Sequence, residues 1–202
     1  GDLAGALPYY QQALTLDVEI YGERDVETAT TLNNLGILMQ FRGELEQAKD
    51  YSLRALEIYR EKLPPTDTNI ARSLNNLGGL MQVLGDLEAA KSYFEQALTI
   101  YRAEVGEKHL DTARAMNNYG LTLQGTGDYD QARKYYQDAL AVYQELHEGP
   151  HPDLAMCYNN LGYLHQAIGE LGKAIDYFEQ AGEIYQETLG EDGPNGRAGC
   201  SP

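Results

Sequence analysis

The sequence predicts an all-α protein built as an array of repeated helix pairs, and three observations carry that prediction. Asn-Asn occurs at 33–34, 75–76, 117–118 and 159–160, a constant step of 42 residues, and self-similarity at a fixed period of this size marks a repeat architecture. Six further columns keep the step: Gly36, Gln40, Gly43, Ala48, Tyr51 and Ala55 recur as Gly78, Gln82, Gly85, Ala90, Tyr93 and Ala97, and again in the two units after that. Within one period the apolar residues fall at helical spacing, and glycine or proline interrupts the pattern twice, once inside the period and once at its end.

The first 23 residues already obey the frame, because Gly1, Ala6, Tyr9 and Ala13 occupy the columns of Gly43, Ala48, Tyr51 and Ala55. They read as the second half of a repeat whose first half would precede residue 1, so the chain is expected to be cut from a longer array. Such a helix without its partner would leave Leu3, Ala6, Tyr10 and Leu14 uncovered. The first complete unit, 24–65, opens with helix A, where Leu32, Leu35, Gly36 and Met39 stand at i, i+3, i+4 and i+7. Gly43 ends it. Helix B follows, striped by Leu45, Ala48, Tyr51, Ala55, Ile58 and Tyr59 and expected to reach about Leu63. Gly36 and Ala48 are expected where the two antiparallel helices approach closely, since a larger side chain would part them.

Glu44, Asp86 and Asp128 supply negative charge to the first turn of helix B. The breaks Pro64-Pro65-Thr66-Asp67 and Gly149-Pro150-His151-Pro152-Asp153 do the same for helix A. The same grammar gives units 66–107, 108–149 and 150–190, for nine helices in a single array over 1–190. Residues 191–202 lack apolar periodicity and are expected to be a flexible tail.

Composition limits the partners. The chain of 202 residues carries 31 Asp and Glu against 15 Lys and Arg, a formal charge of −16 and a pI near 4.5, which opposes nucleic acid and anionic membrane surfaces. Cys157 and Cys200 are the only cysteines, too few for a disulfide framework. No apolar run approaches the roughly 18 residues of a membrane span and no signal segment opens the chain, so a cytoplasmic protein is expected.

The columns Leu32-x-x-Leu35-Gly36-x-x-Met39, then Ala48, Tyr51 and Ala55, resemble the tetratricopeptide repeat in its 42-residue version. The Leu-Asn-Asn-Leu-Gly run, Gln40, and the Gly-Pro-His-Pro-Asp-Leu-Ala linker at 149–155 look like the repeats of kinesin light chains. The resemblance spans 1–190. It implies a right-handed superhelical solenoid of antiparallel helix pairs whose concave wall, made of A helices, binds peptides. In similar families the second Asn of the pair contacts the peptide, which carries over to Asn34, Asn76, Asn118 and Asn160.

On each helix A the groove positions are those out of phase with the apolar stripe. In the first unit they are Thr30, Asn33, Asn34, Ile37, Gln40 and Phe41, and in the second Arg72, Asn75, Asn76, Gly79, Gln82 and Val83. The third offers Arg114, Asn117, Asn118, Leu121, Gln124 and Gly125; the fourth, Met156, Asn159, Asn160, Tyr163, Gln166 and Ala167. Carboxamides carry both donor and acceptor, so ladders of them suit the backbone of an extended peptide. The segments 30–42, 72–84, 114–126 and 156–168 contain no Asp or Glu and three Arg, while the rest of the chain holds 12 basic against 31 acidic groups. Arg72 and Arg114, in one column, are expected to meet a carboxylate on the ligand; the blander reading is that they pair with neighbouring acids.

Other candidates are weaker. His147 and His151 suggest a metal but stand in a linker without partner ligands, His165 and Cys157 read as packed, and the Tyr51, Tyr93, Tyr135 and Tyr177 column reads as core. No catalytic set, cofactor site or metal site is expected. Two functions follow: a non-catalytic scaffold for a protein or peptide ligand, or a structural module that self-associates through its uncapped first helix.

Overall fold

The computed structural model describes residues 3–192, with side chains over 5–188. Within that range the chain forms nine α-helices and no strand: α1 (Leu3–Tyr21), α2 (Val26–Phe41), α3 (Leu45–Lys62), α4 (Thr68–Leu84), α5 (Leu87–Glu104), α6 (Leu110–Gly125), α7 (Tyr129–Leu146), α8 (Pro152–Ala167) and α9 (Leu171–Asp192). Helices α2, α4, α6 and α8 are the A helices; the others are B helices. None among the described residues is long and apolar enough to cross a membrane. The chain divides into two compact units, Gly1–Gly106 and Glu107–Pro202. In the first, α2 pairs with α3 and α4 with α5, while α1 lies on α2 and α3 on α4. In the second, α6 pairs with α7 and α8 with α9, and α7 lies on α8. Within each unit the two A helices also touch, α2 with α4 and α6 with α8.

The helix ends follow from local chemistry. Gly43 and Gly85 adopt φ of 78° and 80°, a left-handed turn that glycine enters without steric cost, and the chain reverses there into the B helix. Asp86 and Asp128 stand just before α5 and α7, their carboxylates accepting from Ala89 N at 3.1 Å and Gln131 N at 3.3 Å. They cap these helices rather than charge their first turns. Glu44 makes no such bond and pairs with Arg42 at 2.7 Å instead. Asp67 caps α4 through Asn69 N at 2.8 Å. His109 and His151 cap α6 and α8, each accepting a backbone N–H on Nδ1 at 3.2 Å.

The core is the predicted A-helix stripe locked onto two alanine columns. Leu32, Leu35, Met39, Leu74, Leu77 and Met81 are buried, as are Ala48, Ala90, Ala132 and Ala55, Ala97, Ala139. In α1 the same alanine columns, Ala6 and Ala13, are only half-buried. Gly36, Gly78, Gly120 and Gly162 do mark the close approach. A Cβ on Gly78 would lie 2.8 Å from the Phe94 ring and one on Gly120 the same distance from Tyr136. One expectation needs correction: Tyr51, Tyr93, Tyr135 and Tyr177 are half-buried rather than core. The residues that fill the space over the glycines stand one position later, Ser52, Phe94, Tyr136 and Phe178, because that position points at the A helix. The expected tail at 191–202 is helical at Glu191 and Asp192 as the end of α9; the rest of it, with Cys200, lies outside the described residues, as does the side chain of Leu3.

Candidate functional site

With one face of each A helix turned onto its B partner, the opposite face is left to solvent, and the side chains there are the ones the periodicity selects. In the first unit Phe41 is 71% exposed and Val83 58%, with Arg72 exposed and Thr30, Asn34, Ile37 and Asn76 half-buried. In the second unit Tyr163 is 57% exposed, with Leu121, Met156 and Arg114 exposed and Asn118 and Asn160 half-buried. Each face therefore combines carboxamides, apolar side chains and a single column of cations, and neither carries an acid within the helix body.

The asparagine pair divides its labour. Asn33 and Asn117 are buried, so they are not open positions on the face. The Oδ1 of Asn33 accepts from Asn76 Nδ2 at 3.4 Å, and that of Asn117 accepts from Asn160 Nδ2 at 3.0 Å. The first Asn of one repeat thus receives the second Asn of the next, and this bond fixes the orientation of the half-buried carboxamide. A carboxamide has two N–H donors and an acceptor oxygen, so after this bond Asn76 and Asn160 each keep an N–H and the oxygen. Asn34 makes no hydrogen bond among the described residues. Asn75 and Asn159 are half-buried, and Asn159 Nδ2 reaches Tyr185 Oη at 3.5 Å. Gln82 and Gln124 border the same faces; Gln124 Oε1 is taken up by the Tyr136 hydroxyl at 3.0 Å.

The two arginines stand in unlike surroundings. Arg72 donates to the Asn69 carboxamide, and among the described residues no carboxylate pairs with its charge. Arg114 Nη2 lies 3.4 Å from Asp153 Oδ2, an acid only 13% exposed, so Arg114 has a neighbouring acid as its partner. The sequence reading placed Asp153 only in the first turn of its helix and missed it as the partner of Arg114. Its signal was the register, since Arg114 shares a column with Met156, three positions beyond Asp153 and one helical turn away. Asp153 also corrects the view that His147 and His151 lack a third group, for it lies 3.7 Å from His147 Nε2 and 3.5 Å from His151 Nδ1. The two imidazoles stack at 3.6 Å with planes 7° apart, so their in-plane lone pairs run parallel and do not converge on one ion. His151 Nδ1 is moreover engaged as the α8 cap. As arranged, the cluster secures the linker to α8.

The remaining chemistry is quiet. Cys157 is buried, its thiol donates to Tyr136 O at 3.2 Å, and burial pushes its pKa up to about 12, the opposite of a reactive thiolate. His165 is buried, stacked on Tyr177 and bonded through Nδ1 to Glu170 at 2.7 Å. Glu170 is held below its ordinary value by Lys173 and then by His165.

Comparison with known proteins bears on the repeat and its fold. The tetratricopeptide-repeat family model matches residues 1–61, 69–145 and 115–187. Among solved structures, the chain is similar to BtubC (BKLC) from P. vanneervenii, with 28% identity over 100% of this chain and 80% of that one and a TM-score of 0.81. It is similar in fold to the repeats of a putative kinesin light chain from Podosopora anserina, at 18% identity, 93% and 89% coverage and a TM-score of 0.73. It also shares the fold of the apo form of RapI, at 20% identity, 95% and 67% coverage and a TM-score of 0.79. No curated protein sequence matches significantly.

Proposed function

The chain belongs to the tetratricopeptide-repeat family, and from that premise we propose that it is a non-catalytic protein–protein interaction scaffold whose A-helix faces bind an extended polypeptide segment. The observation that carries this reading is the asparagine arrangement. The second Asn of each repeat sits half-buried on a helix body that carries no acid, and Asn76 and Asn160 are pre-oriented by a neighbour while keeping donor and acceptor capacity for a peptide backbone. Pre-orientation lowers the entropy lost when a ligand is bound. Ile37, Phe41 and Val83 in the first unit, and Leu121, Met156 and Tyr163 in the second, offer apolar contact beside the carboxamides. An acidic side chain or terminal carboxylate on the ligand meets Arg72 more readily than Arg114, which Asp153 already neutralises.

Asn76→Ala combined with Asn118→Ala tests this reading. Loss of bonds worth about 0.5–1.5 kcal/mol each weakens a peptide partner by about 1–3 kcal/mol while helicity is retained. Unchanged affinity for a peptide selected on the wild-type chain sinks the proposal.

One observation favours a second reading, a structural module that self-associates. On α1, Tyr9 is 76% exposed and Ile20 66%, with Leu16 and Tyr21 also exposed, more apolar surface than a solvated helix usually carries. Sedimentation over a range of concentrations separates the two, since a strict monomer removes this alternative.

A further inference from the structure

Away from the A-helix faces, the first unit contains a cavity of about 430 Å³ where α3, the following linker, α4 and α5 meet. Its size falls within the roughly 300–1,000 Å³ of small-molecule sites. Pro65, Ile70, Leu74 and Ile100 form its walls, and the exposed Arg60 and Gln96 stand at its edge. Arg60 Nη2 donates to Gln96 Oε1 at 2.9 Å, and among the described residues no carboxylate pairs with it. A half-open apolar hollow with one uncompensated guanidinium at its rim is complementary to an apolar chain ending in a single negative charge.

The repeat supplies an internal control, because the same columns can be read at other junctions. One repeat earlier, the counterparts of Pro65, Gln96, Thr99 and Ile100 are Glu23, Arg54, Glu57 and Ile58. They line a smaller cavity of about 140 Å³, beside which Arg24 pairs with Glu57 at 2.8 Å. Two repeats later the counterpart of Arg60 is the neutral Gln144 and that of Leu74 is Tyr158, whose hydroxyl accepts from Gln144 Nε2 at 3.0 Å. At one junction an ion pair satisfies the charge, and at the other the cation is absent and a ring stands in the aliphatic position. The α3–α4–α5 junction joins apolar walls to a cation with no internal acid, a combination the repeat fold does not itself require.

We infer that this cavity is a binding site for a free aliphatic monocarboxylate, its chain against Ile70, Leu74 and Ile100 and its carboxylate on Arg60. Titrating the full chain with octanoate, octanol and a short peptide ending in a free leucine, read by methyl and amide NMR, tests it. Octanoate gives saturable shifts at Ile70, Leu74 and Ile100, and octanol binds at least about fivefold more weakly. Arg60→Gln removes that preference. Thr99→Glu, which rebuilds the acid that Glu57 supplies one repeat earlier, weakens octanoate by a similar factor; both positions are exposed, so the fold is kept. Asn76→Ala leaves octanoate binding unchanged. The inference is overturned by the absence of saturable shifts up to about 10 mM, by equal binding of octanoate and octanol, or by shifts centred on Asn34 and Asn76. A peptide bound more than about tenfold tighter than octanoate at the same residues overturns the free acid in favour of a polypeptide C-terminus.

Discussion

Two adjacent glycines in α4 should respond to the same substitution very differently. At Gly78 an alanine Cβ would lie 2.8, 2.8 and 2.9 Å from three atoms of the Phe94 ring, against the ~3.5–4.0 Å at which carbon atoms rest. Phe94 is fully enclosed, so the ring has nowhere to swing and the two helices must part by most of an ångström. Overpacking of that kind costs about 1–3 kcal/mol. At Gly79 the same Cβ meets nothing within 4 Å. Both substitutions gain the helix propensity of alanine over glycine, about 1 kcal/mol, and this gain cancels when the two variants are compared. Gly79→Ala should therefore be more stable than the parent, and Gly78→Ala less stable than Gly79→Ala by about 1–3 kcal/mol. Urea melts followed by circular dichroism, with a common slope, read that gap as a shift in midpoint. A Gly78→Ala protein as stable as Gly79→Ala would show that the glycine column does not set the helix–helix distance.

Two further predictions follow from the caps and from the buried thiol. Asp86→Ala removes a cap and should cost about 0.5–2 kcal/mol, whereas Glu44→Ala, at the equivalent position without a cap bond, should cost less in the same melts. Burial raises Cys157 from 9.0 to about 12 and also raises Tyr136 and Tyr143. The folded chain then holds protons that the unfolded chain gives up, so stability is intact below about pH 9 and falls as pH rises toward 12. Melts across that range check the sign, and alkylation read by mass spectrometry should label Cys157 in urea long before it does so in the folded protein.

Much of this architecture was legible in the residues, for physical reasons that differ by feature. The 42-residue step and the left-handed glycines gave the helix boundaries closely; α3 ends at Lys62 against an expected Leu63. Phe41, Val83, Leu121 and Tyr163 were placed on the open face by the helical period alone, and they are exposed. Periodicity could not separate the two members of the asparagine pair, because both stand out of phase with the stripe, and only the family resemblance singled out the second. Only the position of the next repeat buries Asn33 and Asn117 while leaving Asn34 and Asn76 at the surface. The aromatic column was misread by one residue because Tyr51 and its repeats never vary, whereas the residues over the glycines are Ser, Phe, Tyr and Phe. Uniform chemistry attracted the assignment, but packing asks only for a shape that fills the gap left by glycine. Asp153 was hidden because its partner Arg114 lies on another helix, and the cavity beside Arg60 because it depends on acids missing from two columns.

The central claim, that the A-helix faces are the working surface, is tested most directly by site-specific photo-crosslinking to a peptide selected on the wild-type chain from a random library. Benzoylphenylalanine is placed at Val83 or Tyr163 on the A helices, and at Leu53 or Leu146, exposed positions on B helices. Capture from Val83 and Tyr163, suppressed by Asn76→Ala with Asn118→Ala, is the predicted result. Capture from Leu53 or Leu146 that is indifferent to those asparagines would contradict it.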